Sequence, residues 1–245
     1  MLVLINLDAA AERRAAMSQR LAQRECSFER VGIDLRSASD ADVEAQIRSC
    51  APGISFDRKT LSNAEIGCWL SHLCVWSRLL AQSASRAATV IEDDLDLGPD
   101  FRQAVEALSR REIFDVIYLG TSSRNVSQRR RTLVNGFGVH EPIGVIFNTW
   151  GYSITRAYAA RFFGAGPRRI RLPIDHFLGG RGGSVRPRIG VLQPAVVSED
   201  PVLGAASQIG PHTRRLDRSR LVEGARRRML ASPLSELYYS LYRYL

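Results

Sequence analysis

The sequence predicts an α/β fold with a mainly parallel central sheet flanked by helices. Short apolar segments typical of buried strands alternate with longer helical patterns along most of the chain. A length of 245 residues and a hydrophobic fraction of 45% fit one α/β domain with a sizeable core, or one such domain with an appendage. Ligands of such folds gather at the carboxyl ends of the strands, so residues that directly follow a predicted strand are the first candidates for a site.

The first part of the chain predicts two strands, each followed by a helix. Residues 2–7 form an apolar run, and residues 28–33 form a second one that ends at Asp34. Residues 9–24 are rich in alanine and arginine and predict a helix, and residues 39–48 predict a shorter one. The end of the second strand places Asp34 at the predicted ligand edge of the sheet.

The strongest local pattern in the chain predicts a helix that begins after Ser62. Ser62 and Glu65 form a capping box, and Leu61 with Ile66 occupies the positions of a hydrophobic staple. Apolar residues then recur at helical spacing, at Ile66, Trp69, Leu70, Leu73, Trp76 and Leu80. Glu65 and His72 are seven positions apart, so their side chains project from nearly the same side of this helix.

The alternation of strands and helices continues to about residue 205. Further strands are predicted at residues 88–91, 114–119 and 185–192, with several short glycine-punctuated strands within 133–154. Further helices are predicted from Pro99 to residue 110, over 155–163 and over 173–178. Residues 121–131 predict a polar, arginine-rich loop. We expect residues 1–205 to form one domain and residues 206–245 to form a helical appendage that is first basic and then aromatic.

Three adjacent carboxylates, Glu92, Asp93 and Asp94, directly follow the strand predicted at 88–91. Carboxylates packed so closely repel one another, and they persist when water solvates them or a cation neutralises them. The cluster therefore predicts a hard divalent metal, Mn²⁺ or Mg²⁺, that holds phosphate. Strand alternation places Glu92 and Asp94 on one side and Asp93 on the other. The alternative is an acidic turn that caps the helix after Pro99.

The charge balance is basic, and nearly all of it is arginine. The formal net charge is +9, and Lys59 is the only lysine. Arginine suits bidentate binding of phosphate and carboxylate, although the skew equally fits a GC-rich genome. The arginines of residues 124–131 and the basic tail favour contact with an anionic membrane surface, the alternative being an ordinary solvated helix pair. Residues 124–131 contain no aromatic side chain, which argues against a nucleic-acid-binding protein.

Targeting and cysteine patterns give further expectations. The N-terminus lacks the basic region of a signal peptide, and no window approaches 18 apolar residues. None of the four cysteines forms a Cys-x-x-Cys pair, so neither a zinc site nor a disulfide framework is expected. We expect a cytoplasmic protein that is peripheral at the inner membrane. The oligomeric state stays open.

An ordered set of motifs resembles glycosyltransferase family 25 over roughly residues 2–200. The matching segments are Asn6-Leu7, Arg13-Arg14, Gly32-Ile33-Asp34, Leu61-Ser62-x-x-Glu65-Ile66-Gly67-Cys68-x-Leu70-Ser71-His72 with Trp76, Ile91-Glu92-Asp93-Asp94, Phe114-Asp115-Val116-Ile117-x-Leu119, Gly151-Tyr152 and Pro173-x-Asp175. The resemblance implies a GT-A-like nucleotide-sugar-binding fold and transfer from a UDP-sugar with inversion. It also implies galactose as the donor sugar and a lipopolysaccharide or related surface glycan, lipid-linked, as the acceptor.

The resemblance also implies roles for single residues. The expected donor-binding residues are Asn6, Leu7, Arg13, Arg14, Asp34 and Asp93, and the alternative for Asp93 is that it holds the turn. Metal binding is expected at Asp94 together with Glu92, while Asp96 is a bystander. The alternative for Arg13 and Arg14 is a solvated helix face.

Catalytic and acceptor roles follow in the same way. Asp175 is the first candidate for the general base, against a helix N-terminal aspartate. Glu65 is the second candidate, although its capping box is a sufficient structural role. His72 and Tyr152 are expected to contact the acceptor, the alternative for each being a buried, hydrogen-bonded core residue. A non-catalytic family member that binds a sugar or a partner is the alternative function.

Overall fold

Strands and helices alternate through this computed structural model. The structure describes residues 1–110, 112–121, 126–143, 146, 149–181 and 185–204, without the side chains of 128–131 and 180–181. The strands are β1 Leu2–Ile5, β2 Glu29–Val31, β3 Ser55–Phe56, β4 Ala87–Glu92, β5 Leu95–Leu97, β6 Val116–Tyr118, β7 Val126–Val134, β8 Phe137–Pro142, β9 Gly151–Thr155, β10 Arg169–Ile170, β11 Ile189–Gln193 and β12 Val197–Glu199. The helices are α1 Ala11–Gln23, α2 Asp40–Cys50, α3 Asn63–Ala81, α4 Phe101–Ser109, α5 Arg156–Ala165 and the single turn α6 Ile174–His176, which continues into a π-helical segment, Phe177–Arg181.

Eight strands form the central sheet, in the order β2-β1-β4-β9-β6-β11-β8-β7. β1 pairs in parallel with β2 and β4, and β6 pairs in parallel with β11. β9 runs antiparallel between β4 and β6, and β8 runs antiparallel between β11 and β7. All strands except β8 and β9 therefore point the same way. The predicted α/β fold with a large, mainly parallel sheet is confirmed.

Strand alternation divides the core between the two faces of this sheet. Val3 and Val90 belong to the cluster that contains Trp69 and Trp76 of α3. Leu2, Leu4 and Ile91 belong to the other cluster, which contains Met17 of α1 and Phe101 of α4. Helices therefore cover both faces, and the carboxyl ends of β1 and β4 meet at one edge of the sheet between them.

The capping box at the start of α3 is confirmed. The Ser62 backbone N–H donates to Glu65 Oε2 at 2.7 Å, and the Glu65 backbone N–H donates to Ser62 Oγ at 3.3 Å. Each side chain thereby satisfies a backbone donor that the first turn of a helix leaves without a partner. The helix is buried along much of its length, as its apolar spacing predicts.

The motif glycine Gly67 brings α3 into close contact with the chain after β2. A Cβ atom at Gly67 would lie 2.6 Å from the backbone oxygen of Ile33. One turn later, Ser71 Oγ accepts a hydrogen bond from the Ile33 backbone N–H at 3.0 Å. Gly67 and Ser71 therefore fasten the helix to the segment that ends in Asp34.

We expect Gly67→Ala to lower the free energy of unfolding. The new methyl group would overpack backbone atoms, which costs about 1–3 kcal/mol and exceeds the gain of at most ~1 kcal/mol from helix propensity. Gly164→Ala in α5 is the matched control, because no atom lies within 4 Å of a Cβ atom there. Urea unfolding of both variants measures the effect, and an equal stabilisation by the two substitutions would contradict the close-contact interpretation.

The arginine-rich segment 121–131 differs from its prediction. The polar loop predicted at 121–131 is wrong from Val126 onward, where β7 pairs with β8. The sequence did not predict β7 because its arginine-rich segment lacks the apolar alternation that is typical of a strand.

The appendage of residues 206–245 lies outside the described residues, so the division at residue 205 stays a prediction. In the part of the chain that the structure describes, no helix has the length and apolarity needed to cross a membrane.

Candidate functional site

The acidic cluster lies where β1 and β4 end side by side. Ile5 pairs with Glu92, so Asn6 follows β1 next to the turn that Asp93 and Asp94 make between β4 and β5. Alternation along β4 ends at Glu92, and the two aspartates take directions set by the turn. The three carboxylates consequently differ in their partners.

Asp93 is buried and neutralised within the protein. Its Oδ1 accepts from Arg13 at 3.0 Å, and its Oδ2 accepts from Asn6 Nδ2 at 2.7 Å. A buried carboxylate needs such partners, because its desolvation is otherwise too costly. Asn6, Arg13 and Asp93 were predicted to bind the donor, but the structure joins their side chains to one another in support of the acidic turn.

Asp94 retains an oxygen without a hydrogen-bond partner. Its Oδ2 lies 3.4 Å from the Arg13 guanidinium, whereas its buried Oδ1 has no hydrogen bond. Burial raises the pKa of Asp94, and the Arg13 charge partly offsets that increase. An orphaned buried carboxylate oxygen is costly unless a cation or water binds it.

Glu92 is the most destabilised of the three carboxylates when charged. Its Oε1 accepts a hydrogen bond from Thr149 Oγ1 at 2.6 Å. Burial, followed by the charge of Asp94, raises the pKa of Glu92 to about 7. Two neighbouring carboxylates that resist ionisation together are suited to a shared positive charge.

The donor atoms fit the predicted metal. Within the described ranges no group of three or more His, Cys, Asp or Glu side chains is arranged around a metal position. Mg²⁺ and Mn²⁺ typically need only one or two protein carboxylates and take their remaining oxygens from phosphate and water. The unsatisfied Oδ1 of Asp94 and the raised pKa of Glu92 match that requirement, so these two residues would hold the ion.

We expect Glu92→Gln to stabilise the metal-free protein at pH 8 by about 3 kcal/mol. The pKa of the Glu92 carboxyl is 4.5 in the unfolded chain and about 7 in the fold. The fold therefore loses stability as the pH increases from 4.5 to 7, because the charged carboxylate is less favourable in the fold than in the unfolded chain. The variant should match the wild type below pH 4.5, where both states are protonated. Urea unfolding at several pH values measures this difference, with the exposed Glu44→Gln as control. Equal stability at pH 8 would contradict it.

The segment after β12 contacts the acidic turn, which Asp93 and Asp94 form between β4 and β5. The Asp200 backbone N–H donates to the Asp94 carbonyl at 2.8 Å, and the Leu203 carbonyl accepts from Arg13. Asp200 itself accepts from the backbone N–H groups of Val202 and Leu203 and from Arg20. The acidic turn is therefore held by contacts from three distant parts of the chain.

The two candidate bases, Asp175 and Glu65, both act electrostatically on Cys68, as does Glu92 of the acidic cluster. The charges of Glu92, Asp175 and Glu65 all raise the pKa of Cys68, in that order after burial. Asp175 also raises the pKa of Glu92, so these two carboxylates lie within electrostatic reach of each other. Asp175 is partly exposed, and its Oδ1 accepts from the His176 backbone N–H at 2.7 Å. Cys68 therefore lies within electrostatic reach of all three carboxylates.

His72 and Tyr152 form an enclosed pair. Both are fully buried, and His72 Nδ1 lies 2.7 Å from the Tyr152 hydroxyl, which also accepts from Trp76 Nε1 at 3.1 Å. Burial lowers the pKa of His72 to about 3, so its ring is neutral at pH 7. In this structure neither side chain is open to a sugar acceptor. Their burial and hydrogen bonds match the alternative, a core residue, and contact with an acceptor stays a prediction.

The remaining predicted donor residues lie nearer the surface. Asp34 pairs with Arg36, whose hydrogen bond lowers the pKa of that carboxyl. Leu7 is half-buried after β1, and Arg14 is half-buried in the first part of α1. Asp34 and Leu7 therefore follow the ends of β2 and β1, and donor binding by all three residues stays a prediction.

A protein-family comparison decides the relationship that these motifs indicate. The family model "Glycosyltransferase family 25 (LPS biosynthesis protein)" matches residues 1–178. This chain belongs to glycosyltransferase family 25. The matched span contains every predicted site residue, including the acidic cluster and Asp175.

Curated relatives of this family 25 chain include proteins with different names. The rat "Probable inactive glycosyltransferase 25 family member 3" is 28% identical over 183 residues, which covers 71% of this chain and 32% of that protein. The zebrafish "Procollagen galactosyltransferase 1" is 27% identical over 185 residues, which covers 71% of this chain and 30% of that protein. The chain thus spans about a third of the length of these relatives. A solved structure of TarS residues 1–349 from S. aureus aligns with a TM-score of 0.42 at 11% identity, covering 80% of this chain and 58% of that one.

Three participants in this family 25 site escaped the sequence analysis. Thr149 donates a hydrogen bond to Glu92, Asp200 contacts the acidic turn, and Cys68 lies within electrostatic reach of Glu65, Asp175 and Glu92. Cys68 stands inside the longest motif, and that position was the available indication of its importance. Thr149 contacts Glu92, which lies 57 positions earlier, and Asp200 contacts Asp94, which lies more than a hundred positions earlier. No local sequence pattern indicates contacts of this length.

Proposed function

We propose that this chain transfers a hexose, galactose in the first instance, from a UDP-sugar to a surface-glycan acceptor with inversion. The observation that carries the proposal is the acidic turn of a family 25 chain. Arg13 and Asn6 neutralise Asp93 there, while Asp94 keeps an unsatisfied oxygen beside a protonation-prone Glu92. Asp93 is thus already neutralised, and the carboxylates of Glu92 and Asp94 remain to bind a cation.

Each residue then has a defined task. Asp94 and Glu92 would hold a divalent cation, which would supply Lewis-acid stabilisation of the departing diphosphate. Arg13 and Asn6 fix the turn, and Thr149 orients Glu92. Asp175 accepts the proton of the attacking acceptor hydroxyl, and the bond to UDP breaks as the new glycosidic bond forms on the opposite face of the sugar.

The choice of substrates is supported by the family and by names of relatives. The family description mentions lipopolysaccharide biosynthesis, and several relatives are named procollagen galactosyltransferases. The names of these relatives support a galactosyl donor. The basic charge of the chain agrees with a lipopolysaccharide-type or lipid-linked glycan acceptor and with a cytoplasmic, membrane-peripheral location. We propose all three for this chain.

Calorimetry with UDP, in the presence and absence of Mn²⁺, tests the proposal. We expect UDP to bind more tightly with Mn²⁺ than with EDTA, because a cation held by Asp94 and Glu92 would supply positive charge to the diphosphate. A panel of UDP-sugars in a thermal-shift assay then ranks the donors. Failure of UDP to bind in either condition would sink the proposal.

A non-catalytic, sugar-binding family member is the second candidate. The rat and mouse relatives are named inactive, which shows that the family includes such proteins. The two candidates differ in turnover. An enzyme should hydrolyse or transfer from its UDP-sugar with Mn²⁺, whereas a binding protein should show a calorimetric signal without release of UDP.

A further inference from the structure

Two arginines flank Ile170 at the small sheet formed by β3 and β10, and we name Arg169 and Arg171 the arginine ridge. Ile170 pairs with Phe56 and is 1% exposed, so β10 directs its apolar residue inward. The side chains of Arg169 and Arg171 point the other way and are 55% and 65% exposed. The outer face of this sheet is therefore lined with guanidinium groups.

Positive charge exceeds negative charge within the ridge. Asp57 Oδ2 lies 3.1 Å from Arg169 and 3.6 Å from Arg171, so one buried carboxylate is shared by two guanidinium groups. More than half of each arginine side chain still faces solvent. Guanidinium groups present several donors in a fixed fork that matches phosphate and carboxylate oxygens.

Two chain segments lead from this ion cluster to the candidate bases. The Asp57 carbonyl accepts from the Leu61 backbone N–H at 2.9 Å, directly before the turn that contains Glu65. On the other segment, the Leu172 carbonyl accepts from Trp69 Nε1 at 2.8 Å, and Asp175 follows three residues later. Four residues span at most about 14 Å, so Arg171 lies within the length of a short oligosaccharide from Asp175.

We propose that the arginine ridge binds phosphate or carboxylate groups of an acidic acceptor glycan whose reacting hydroxyl lies at Asp175. This inference rests on the proposed function, because it assigns a substrate class to the same site. Single exposed ion pairs contribute little, so selectivity for an acidic glycan requires that both arginines act together. Binding should therefore weaken as ionic strength increases.

Calorimetry on the full chain at low salt tests the proposal. The probes are trigalacturonate, a phosphorylated pentamannose and neutral maltotriose. We expect the two anionic oligosaccharides to bind and maltotriose not to bind. Arg169→Gln/Arg171→Gln should weaken anionic binding about tenfold. Arg110→Gln is the matched control, because this exposed arginine ends α4 on the other face of the sheet and should bind like the wild type.

A second variant guards against misfolding. Loss of both arginines leaves Asp57 buried without these partners, so Asp57→Asn/Arg169→Gln/Arg171→Gln removes the stranded charge, and we expect the same weakened binding from a folded protein. Unchanged anionic binding in both variants, or equal binding of maltotriose to the wild type, would overturn the proposal. Phosphatidylglycerol vesicles are a further probe. If the substitutions weaken binding to these vesicles but not to the anionic oligosaccharides, the ridge contacts a membrane and the proposal is overturned. Wild-type UDP binding is scored separately and decides the proposed function alone.

Discussion

Asp94→Asn is expected to reduce Mn²⁺-dependent transfer from the UDP-sugar by about two to three orders of magnitude. Loss of the charged ligand removes several kcal/mol of Lewis-acid stabilisation, and each 1.4 kcal/mol corresponds to tenfold in rate. The fold should persist, because Asp94 Oδ1 has no hydrogen bond to lose and Arg13 keeps its contact with Asp93. Initial rates of UDP release at saturating donor, with and without Mn²⁺, measure the effect.

Asp96→Asn is the matched control for this experiment. Asp96 lies two positions further along in β5, its side chain is 51% exposed, and it pairs with Arg20 rather than with the acidic turn. We expect it to retain near wild-type turnover and Mn²⁺ affinity. If Asp94→Asn keeps its Mn²⁺-dependent rate, the ion binds elsewhere and the assignment of Asp94 is wrong.

The contrast between these two aspartates illustrates what sequence patterns can predict. The capping box, the apolar spacing of α3 and the placement of acids after β4 depend on residues within one or two turns of each other, and the structure confirms them. Such patterns work because helix capping and burial are local or periodic properties. Asp96 differs from Asp94 only because the strand resumes at Leu95 and directs it outward.

The partners of the acidic cluster could not be predicted in this way. Asn6 contacts Asp93 across 87 positions, and Arg13 reaches Leu203 across 190. These contacts depend on strand order, in particular on β1 lying beside β4, and on β9 entering between β4 and β6 in the opposite direction. Motif resemblance singled out Asn6 and Arg13 but did not indicate their contacts with Asp93, and donor binding by these two residues stays a prediction.

Asp175 and Glu65 differ in how far the fold already occupies them. Glu65 is buried, and its Oε2 accepts from the Ser62 backbone N–H at 2.7 Å and from Ser62 Oγ at 2.9 Å. Asp175 retains 30% side-chain exposure and stands at the start of a single helical turn that Trp69 anchors through the Leu172 carbonyl. A general base must reach the acceptor hydroxyl, so access favours Asp175.

Asp175→Asn is therefore expected to lower kcat by about 10²–10⁴-fold, the usual contribution of a positioned base, with little change in UDP affinity. Loss of the base should also flatten the acidic limb of the pH–rate profile, which a purely structural role would not do. Glu65→Gln is the matched comparison, because glutamine can still complete the capping box and should leave turnover within a few-fold of wild type. If the two variants exchange these outcomes, Glu65 takes the proton and Asp175 positions the turn. Single-turnover rates across pH for both variants decide between the two carboxylates.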